Sequence, residues 1–168
     1  MEHTPRRRRI LNYMAKRKMM WIYRGMKACC MFDENAKRYC AAMGESIIRI
    51  RVLPDVTGIA VRVADGNIHL LKEDELLLYA DLDVCFKNLA GALPVLRGKK
   101  SIKQAYAEKR IVVRGDISKI MMINNIIRIT MAYILTDPNA RKLYGQPGGV
   151  PRAKIFNAMI IGDGHEIR

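Results

Sequence analysis

The stretch that decides the fold is residues 80–127, which read ADLDVCFKNLAGALPVLRGKKSIKQAYAEKRIVVRGDISKIMMINNII. Hydrophobic periodicity in it switches between the strand and the helix repeat. In chain order the patterns predict a strand at 81–86, helices at 87–96 and 101–109, a strand at 110–114 and a long helix at 117–135. Asp116 is a preferred capping residue directly before the long helix, and Pro138 follows its end. The stretch therefore predicts a domain of mixed α and β structure.

Three further strands are predicted upstream. Residues 46–53 alternate arginine against isoleucine and valine, and residues 58–64 alternate in the same way. Asp65-Gly66 is a two-residue hairpin signal, so residues 67–72 are predicted to return beside the preceding strand. We expect residues 46–114 to supply five strands of one sheet, with the long helix lying across it.

Residues 80–127 resemble the sterol carrier protein type 2 domain, in particular its small bacterial single-domain relatives. The resemblance is carried by Phe86, Gly98, Ser101, Ala105, Tyr106, Ile111, Val113, Gly115 and Asp116. With the upstream strands it covers roughly residues 46–134, and it implies an α+β fold with a five-stranded, mostly antiparallel curved sheet covered by helices. It also implies carriage of a fatty acid, an acyl-CoA or a sterol in an apolar tunnel between the sheet and the long helix, with no catalysis and no cofactor.

The long helix at 117–135 has two apolar stripes. Its first stripe consists of Ile120, Ile123, Ile127, Met131 and Ile134, and its second of Met122, Ile126, Ile129 and Tyr133. The stripes are about 130° apart at the angular step of an α-helix. Because one stripe is enough to cover a sheet, the second must meet another helix, a partner chain in a homodimer, or an apolar ligand.

We predict that a lipid tunnel runs beside this helix. The predicted apolar lining consists of Ile59, Val61, Val84, Ile117, Met121, Met122, Ile126 and Ile129. Arg128 is predicted to meet a carboxylate or phosphate head group at the tunnel mouth, with a solvated surface position as the alternative. Which stripe faces the ligand stays open at this stage.

Positive charge is concentrated at the start of the chain. The net charge is +14, and residues 1–30 hold nine basic residues and one acidic residue. After Pro5, residues 5–28 predict an amphipathic helix with apolar and basic halves. We expect residues 6–27 to lie on an anionic membrane surface outside the core, and the predicted membrane-surface residues are Arg9, Lys16, Arg17, Trp21 and Arg24.

Two alternatives for this helix are packing on its own domain or a partner subunit, and binding of nucleic acid. Arginine-rich arms bind phosphates with little sequence choice. The chain as a whole offers little for base stacking, because it has only three phenylalanines and one tryptophan. The predicted organisation is a basic helix at 1–30, a sterol-carrier-like domain at 31–136 and a tail rich in glycine and proline at 137–168.

No catalytic or metal-binding signature is evident. The three histidines (His3, His69 and His165) are not spaced as metal ligands, and the four cysteines lack the C-x-x-C motif, which favours buried, reduced thiols. Asp81 and Asp83 share one strand face, as paired catalytic carboxylates would, but a solvated face is the commoner outcome. No apolar run is long enough for a membrane span or a secretory signal. We expect a cytoplasmic protein, peripheral at a membrane at most, that is not an enzyme.

Overall fold

One open five-stranded sheet forms the base of the fold. The structure is a computed structural model, and it describes residues 5–54, 57–72 and 79–161. The strands are β1 (Ser46–Val52), β2 (Thr57–Ala64), β3 (Asn67–Leu70), β4 (Leu82–Phe86) and β5 (Ile111–Gly115). Their order is β3-β2-β1-β4-β5, and the β1–β4 pair is parallel whereas the other three pairs are antiparallel. The predicted α+β fold with a mostly antiparallel five-stranded sheet is confirmed.

The hairpin between β2 and β3 is the one predicted from Asp65-Gly66. Both residues have positive φ, 51° at Asp65 and 71° at Gly66, as a two-residue hairpin turn with the right twist requires. The turn places Val63 opposite Ile68 and Ala64 opposite Asn67. It thereby fixes which side chains of both strands share a face.

The described part of the chain contains seven helices, and they cover one face of the sheet. They are α1 (Pro5–Phe32), α2 (Glu34–Met43), α3 (Leu89–Leu96), α4 (Ile102–Ala107), α5 (Ile117–Ile134), α6 (Pro138–Tyr144) and α7 (Arg152–Ile161). Capping side chains define several N-termini. The Asp116 carboxylate accepts a hydrogen bond from the Lys119 backbone N–H at 3.0 Å, and the Ser101 hydroxyl accepts one from Gln104 N–H at 3.1 Å. Among the described helices, none combines the length and apolarity that crossing a bilayer requires.

The two faces of the sheet differ in character. Asp83 lies on the face away from the helices and forms ion pairs with Arg49 (Oδ1–Nε, 3.1 Å) and Arg51 (Oδ2–Nη2, 2.8 Å). Burial alone would raise the pKa of Asp83, but the hydrogen bonds and charges of the two arginines outweigh it and hold that pKa below its ordinary value. The Asp81 carboxylate accepts a hydrogen bond from Ile47 N–H at 2.8 Å. Both carboxylates therefore have structural partners on or beside the sheet.

Helix α1 belongs to the core. Its residues from Ala15 onward are buried at helical spacing, including Met19, Ile22 and Met26. At Gly25 it touches α5 so closely that an added Cβ would lie 2.6 Å from the Thr130 methyl group. The prediction that residues 6–27 lie outside the core is therefore wrong for all but the first turns. The apolar half of a helical wheel (its apolar half-wheel) shows the same residue pattern whether it lies on a membrane or on a neighbouring element. In this structure the apolar half-wheel of α1 packs against α5, β2 and β3.

The predicted C-terminal tail also packs on the domain. Its described part contains α6 and α7, and α7 buries Ile155 and Met159. The rings of Phe156 in α7 and Trp21 in α1 lie 6.2 Å apart. The predicted segments 1–30, 31–136 and 137–168 thus all contribute to one hydrophobic core.

Candidate ligand cavity

A cavity of about 530 Å³ lies between the sheet and the helices. Its floor is formed by β1, β2, β4 and β5. Alternate residues of a strand point to the same side of the sheet, and one such set from each of these strands faces the cavity. The lining side chains from the sheet are Ile48, Ile50, Ile59, Leu82, Val84, Phe86 and Val113. Helix α5 contributes Ile117, Ile120, Met121, Ile123, Asn124, Ile127 and Met131. The walls are therefore mostly aliphatic and thioether side chains, with the Phe86 ring and the Asn124 amide among them.

The two stripes of α5 have different partners. Ile120, Ile123, Ile127 and Met131 of the first stripe line the cavity. Ile126, Ile129 and Tyr133 of the second stripe are buried, and α5 packs on α1 and α2. Of the three options for the second stripe, the structure thus has the helix–helix contact. The first stripe, apart from Ile134 at its end, faces the cavity.

A buried hydrogen bond holds the second stripe in place. The Tyr133 hydroxyl donates to Asp33 Oδ2 at 2.9 Å, and Asp33 Oδ1 accepts from the backbone N–H groups of Asn35 and Ala36. Burial, together with this hydrogen bond to a carboxylate, raises the pKa of Tyr133 to about 12. The N-terminus of α2 is thus tied to α5, which fixes the rotation of α5 about its axis.

Four of the eight predicted lining residues border the cavity and four do not. Ile59, Val84, Ile117 and Met121 line it. The lining does not include Val61, Met122, Ile126 or Ile129. Val61 is fully buried on β2 opposite Leu70 of β3, and the other three belong to the second stripe of α5. The sequence could not distinguish the stripes, because both are equally apolar.

Several lining residues lie outside the predicted set. Helix α1 contributes Met19, Ile22 and Met26, and the short α3 and α4 contribute Val95, Leu96, Ile102, Lys103 and Tyr106. The α1 residues belong to the apolar half-wheel already visible in the sequence. That pattern indicates that this face avoids water, and in the structure these three residues border the cavity.

The cavity reaches the surface between α4 and the first turns of α5. Tyr106, Ile117 and Met121 line it and are nevertheless exposed, with 60%, 75% and 63% of their surface accessible. We call these three residues the mouth. Lys103, one turn before Tyr106 on α4, is exposed beside them. Lys103 is the one charged residue among the described lining residues.

Arg128 lies elsewhere. Its side chain is exposed, and its Nη1 donates to the carbonyl oxygen of Tyr144 at 3.5 Å. It is not among the residues that line the cavity. The structure therefore gives no support to Arg128 as a head-group residue, because its side chain lies on the polar arc of α5 and not on the stripe that faces the cavity.

The predicted membrane-surface residues of α1 are spread over different environments. Arg9 and Arg17 are exposed, whereas Lys16, Trp21 and Arg24 are half-buried. The Arg17 guanidinium lies 5.8 Å from the centre of the exposed Tyr13 ring. These five residues therefore do not form one exposed face.

The thiols are buried and form no disulfide, as predicted: Cys29, Cys30, Cys40 and Cys85 are all free. Burial, with a contribution from the nearby Asp33 charge, raises the pKa of Cys29 to about 12, so this thiol is inert at neutral pH. His69 is exposed on β3, while His3 and His165 lie outside the described residues. Within the described ranges no three His, Cys, Asp or Glu side chains come together as metal ligands would.

No family model matches the chain, and no curated protein matches it. Several solved structures are similar to it, including the following three. One described as "UbiJ-SCP2 Ubiquinone synthesis protein" is 16% identical with a TM-score of 0.47, over 65% of this chain and 95% of that chain. Sterol Carrier Protein 2 from Yarrowia lipolytica (apo form) is 12% identical with a TM-score of 0.44, over 64% and 87%. Sterol Carrier Protein 2 Like 2 from Aedes aegypti is 11% identical with a TM-score of 0.35, over 54% and 90%.

Proposed function

We propose that this chain is a non-catalytic carrier that holds one apolar or amphipathic lipid in the cavity between its sheet and α5. The observation that carries the proposal is the cavity itself. Its volume of about 530 Å³ lies within the range of roughly 300–1,000 Å³ that is typical of small-molecule sites. Protein interiors normally pack as tightly as organic crystals, so an apolar volume of this size calls for an occupant.

The lining suits a flexible hydrocarbon chain. Four of the lining residues are methionines: Met19, Met26, Met121 and Met131. Unbranched thioether side chains adopt several rotamers at low cost and can follow the shape of different ligands. The resemblance of residues 80–127 implies the same ligand classes, namely a fatty acid, an acyl-CoA or a sterol-like molecule.

Lys103 supports an anionic head group on this lipid. An ammonium group beside an apolar cavity and its exposed mouth would pair with a carboxylate or phosphate left at the surface when the chain enters. Asn124 of α5 lines the same cavity and adds a neutral amide. We therefore assign to Lys103 the head-group role that the sequence had suggested for Arg128.

The polar groups in the lining support binding more than catalysis. Tyr144 lines the cavity, but its hydroxyl donates to the Lys100 carbonyl at 2.9 Å, and burial raises its pKa to about 12. Tyr144 is therefore engaged and protonated at neutral pH. The described lining contains no carboxylate, histidine or thiol to act as a general base or nucleophile.

A displacement assay with a fluorescent fatty acid tests carriage directly. We expect saturable binding to the lipid-free protein and competition by unlabelled fatty acid, with one ligand per chain in native mass spectrometry. Absence of binding up to the solubility limit of the probe would overturn the proposal.

The head-group role needs a sharper comparison. Lys103→Met should weaken binding of a fatty acid about tenfold and leave binding of its methyl ester unchanged, because the ester carries no charge. Lys99→Met is the matched control, since Lys99 is exposed on the same segment and does not line the cavity. Equal affinities of wild type and Lys103→Met for the acid would remove Lys103 from the site and leave carriage itself intact.

A further inference from the structure

The mouth is an exposed apolar surface. Tyr106, Ile117 and Met121 are each more than half accessible, although they border the same cavity. Isolated apolar side chains are common on protein surfaces, but a group of them at the opening of an apolar cavity marks an interaction site. Tyrosine is moreover a residue that membrane interfaces favour, because its ring is apolar and its hydroxyl is polar.

The chain segment that builds the mouth is strongly basic. Residues 97–119 hold eight Lys and Arg and two acids, a balance of +6. Residues 31–168 as a whole hold 21 basic and 15 acidic residues, also +6, so the rest of this region is neutral. All of the excess positive charge outside the first 30 residues therefore lies in the segment around the mouth.

Both acidic residues of this segment already accept hydrogen bonds from other groups of the protein. Glu108 accepts hydrogen bonds from Lys100 Nζ at 2.6 Å and from Arg110 Nε at 2.5 Å. Asp116 caps α5. The exposed cations of the segment are Arg97, Lys99, Lys103, Lys109 and Arg114. Arg114 pairs with Asp83 across β5 and β4 and therefore lies on the sheet face away from the cavity, whereas the other four lie in α4 or in the loops that flank it. These four cations face solvent on the segment that forms the mouth.

We propose that the mouth docks on the surface of an anionic lipid bilayer, so that a lipid enters the cavity without crossing water. Exposed apolar side chains on a segment rich in exposed Lys and Arg match the layered chemistry of such a surface, with acyl chains below anionic head groups. A nucleic acid would match the cations but offers no partner for Ile117 and Met121. This inference rests on the proposed lipid carriage, because the cavity is the destination of the lipid.

The first turns of α1 are the competing surface, and they provide matched controls. Arg6, Arg7 and Arg9 are exposed cations, and Ile10 and Tyr13 are exposed apolar residues with 54% and 63% of their surface accessible. The two regions therefore allow the same number and type of substitutions. All of the substituted positions are exposed, so folding is not at risk.

The test is co-sedimentation of the full-length protein with vesicles of phosphatidylcholine alone or mixed with phosphatidylserine. The mouth charge variant combines Arg97→Gln, Lys99→Gln and Lys109→Gln, and its control combines Arg6→Gln, Arg7→Gln and Arg9→Gln. The mouth apolar variant combines Ile117→Ser and Met121→Ser, and its control combines Ile10→Ser and Tyr13→Ser.

We expect binding to the mixed vesicles at low salt, with a partition coefficient reduced about tenfold or more in both mouth variants and within twofold of wild type in both controls. Equal binding to neutral vesicles, or loss confined to the α1 variants, would overturn the proposal. Binding of a single-stranded oligonucleotide through the mouth cations, with no vesicle binding, would overturn it as well. The fluorescent fatty-acid displacement assay, carried out on the mouth charge variant without vesicles, separates membrane docking from lipid carriage. Carriage predicts that the Kd of this variant for the fatty acid equals that of wild type, whether or not the mouth docks on a bilayer.

Discussion

Two adjacent isoleucines of α5 allow the arrangement of the cavity to be tested in one helix. Ile127 lines the cavity and is half-buried, whereas its neighbour Ile126 is fully buried in the core. Replacement by alanine removes the same three carbon atoms at both positions. Ile126→Ala should nevertheless lose more folding stability than Ile127→Ala, whereas Ile127→Ala should lose more ligand affinity.

The magnitudes follow from what surrounds each side chain. Ile126→Ala should lower the free energy of unfolding by about 3 kcal/mol, within the roughly 2–5 kcal/mol found when a fully packed isoleucine is truncated. Ile127→Ala should lower it by only about 1 kcal/mol, because one side of this residue faces empty volume and has no packing to lose. In the ligand complex, however, Ile127→Ala removes apolar contact with the lipid that contributes about 1.4 kcal/mol to binding. This loss corresponds to a rise in Kd of about tenfold.

Urea denaturation of delipidated protein gives the first quantity, and displacement of a fluorescent fatty acid gives the second. Lipid must be removed beforehand, because a ligand that binds only the folded state adds to its apparent stability. Ile126→Ala should retain the wild-type Kd under conditions where it is folded. Equal losses of unfolding free energy in both variants, together with an unchanged Kd for Ile127→Ala, would refute this assignment of the stripes.

Two further substitutions test the packing that holds the site. Asp83→Asn leaves Arg49 and Arg51 without their carboxylate and should cost about 2 kcal/mol at neutral pH. Because the two arginines hold the pKa of folded Asp83 below the ordinary aspartate value, this stabilisation is present at pH values well above that ordinary value and is lost as the pH falls through the lower folded value. Urea midpoints of wild type and variant should therefore converge in acid, and a difference that persists there contradicts the ion-pair account. Gly25→Ala should destabilise by about 1–2 kcal/mol in thermal unfolding, because its Cβ would lie 2.6 Å from Thr130, whereas Gly149→Ala, with no atom within 4 Å, should change little.

The strands and helix starts were predictable from the sequence because they depend on neighbouring residues. Alternation placed β1 and β2 to within a residue or two, Asp65-Gly66 located the hairpin turn, and Asp116 marked the start of α5. Each of these signals acts through the local backbone and needs no distant partner. The same locality explains why Ile59, Val84, Ile117 and Met121 were found. They occupy apolar positions on elements whose boundaries were correctly predicted.

What an apolar face packs against is a different kind of information. The half-wheel of α1 showed that one side of the helix avoids water, and both stripes of α5 showed the same. A residue pattern records that a surface is buried, but the free energy of burial is nearly the same against a bilayer, a neighbouring helix or a ligand, since it depends on area and not on the partner. The sequence by itself therefore determined the elements and their apolar faces. Only the tertiary structure decided that α1 closes the core, that Ile127 and not Ile126 faces the cavity, and that Lys103 and not Arg128 lies beside it, because these depend on residues that are distant in the chain and meet only when it folds.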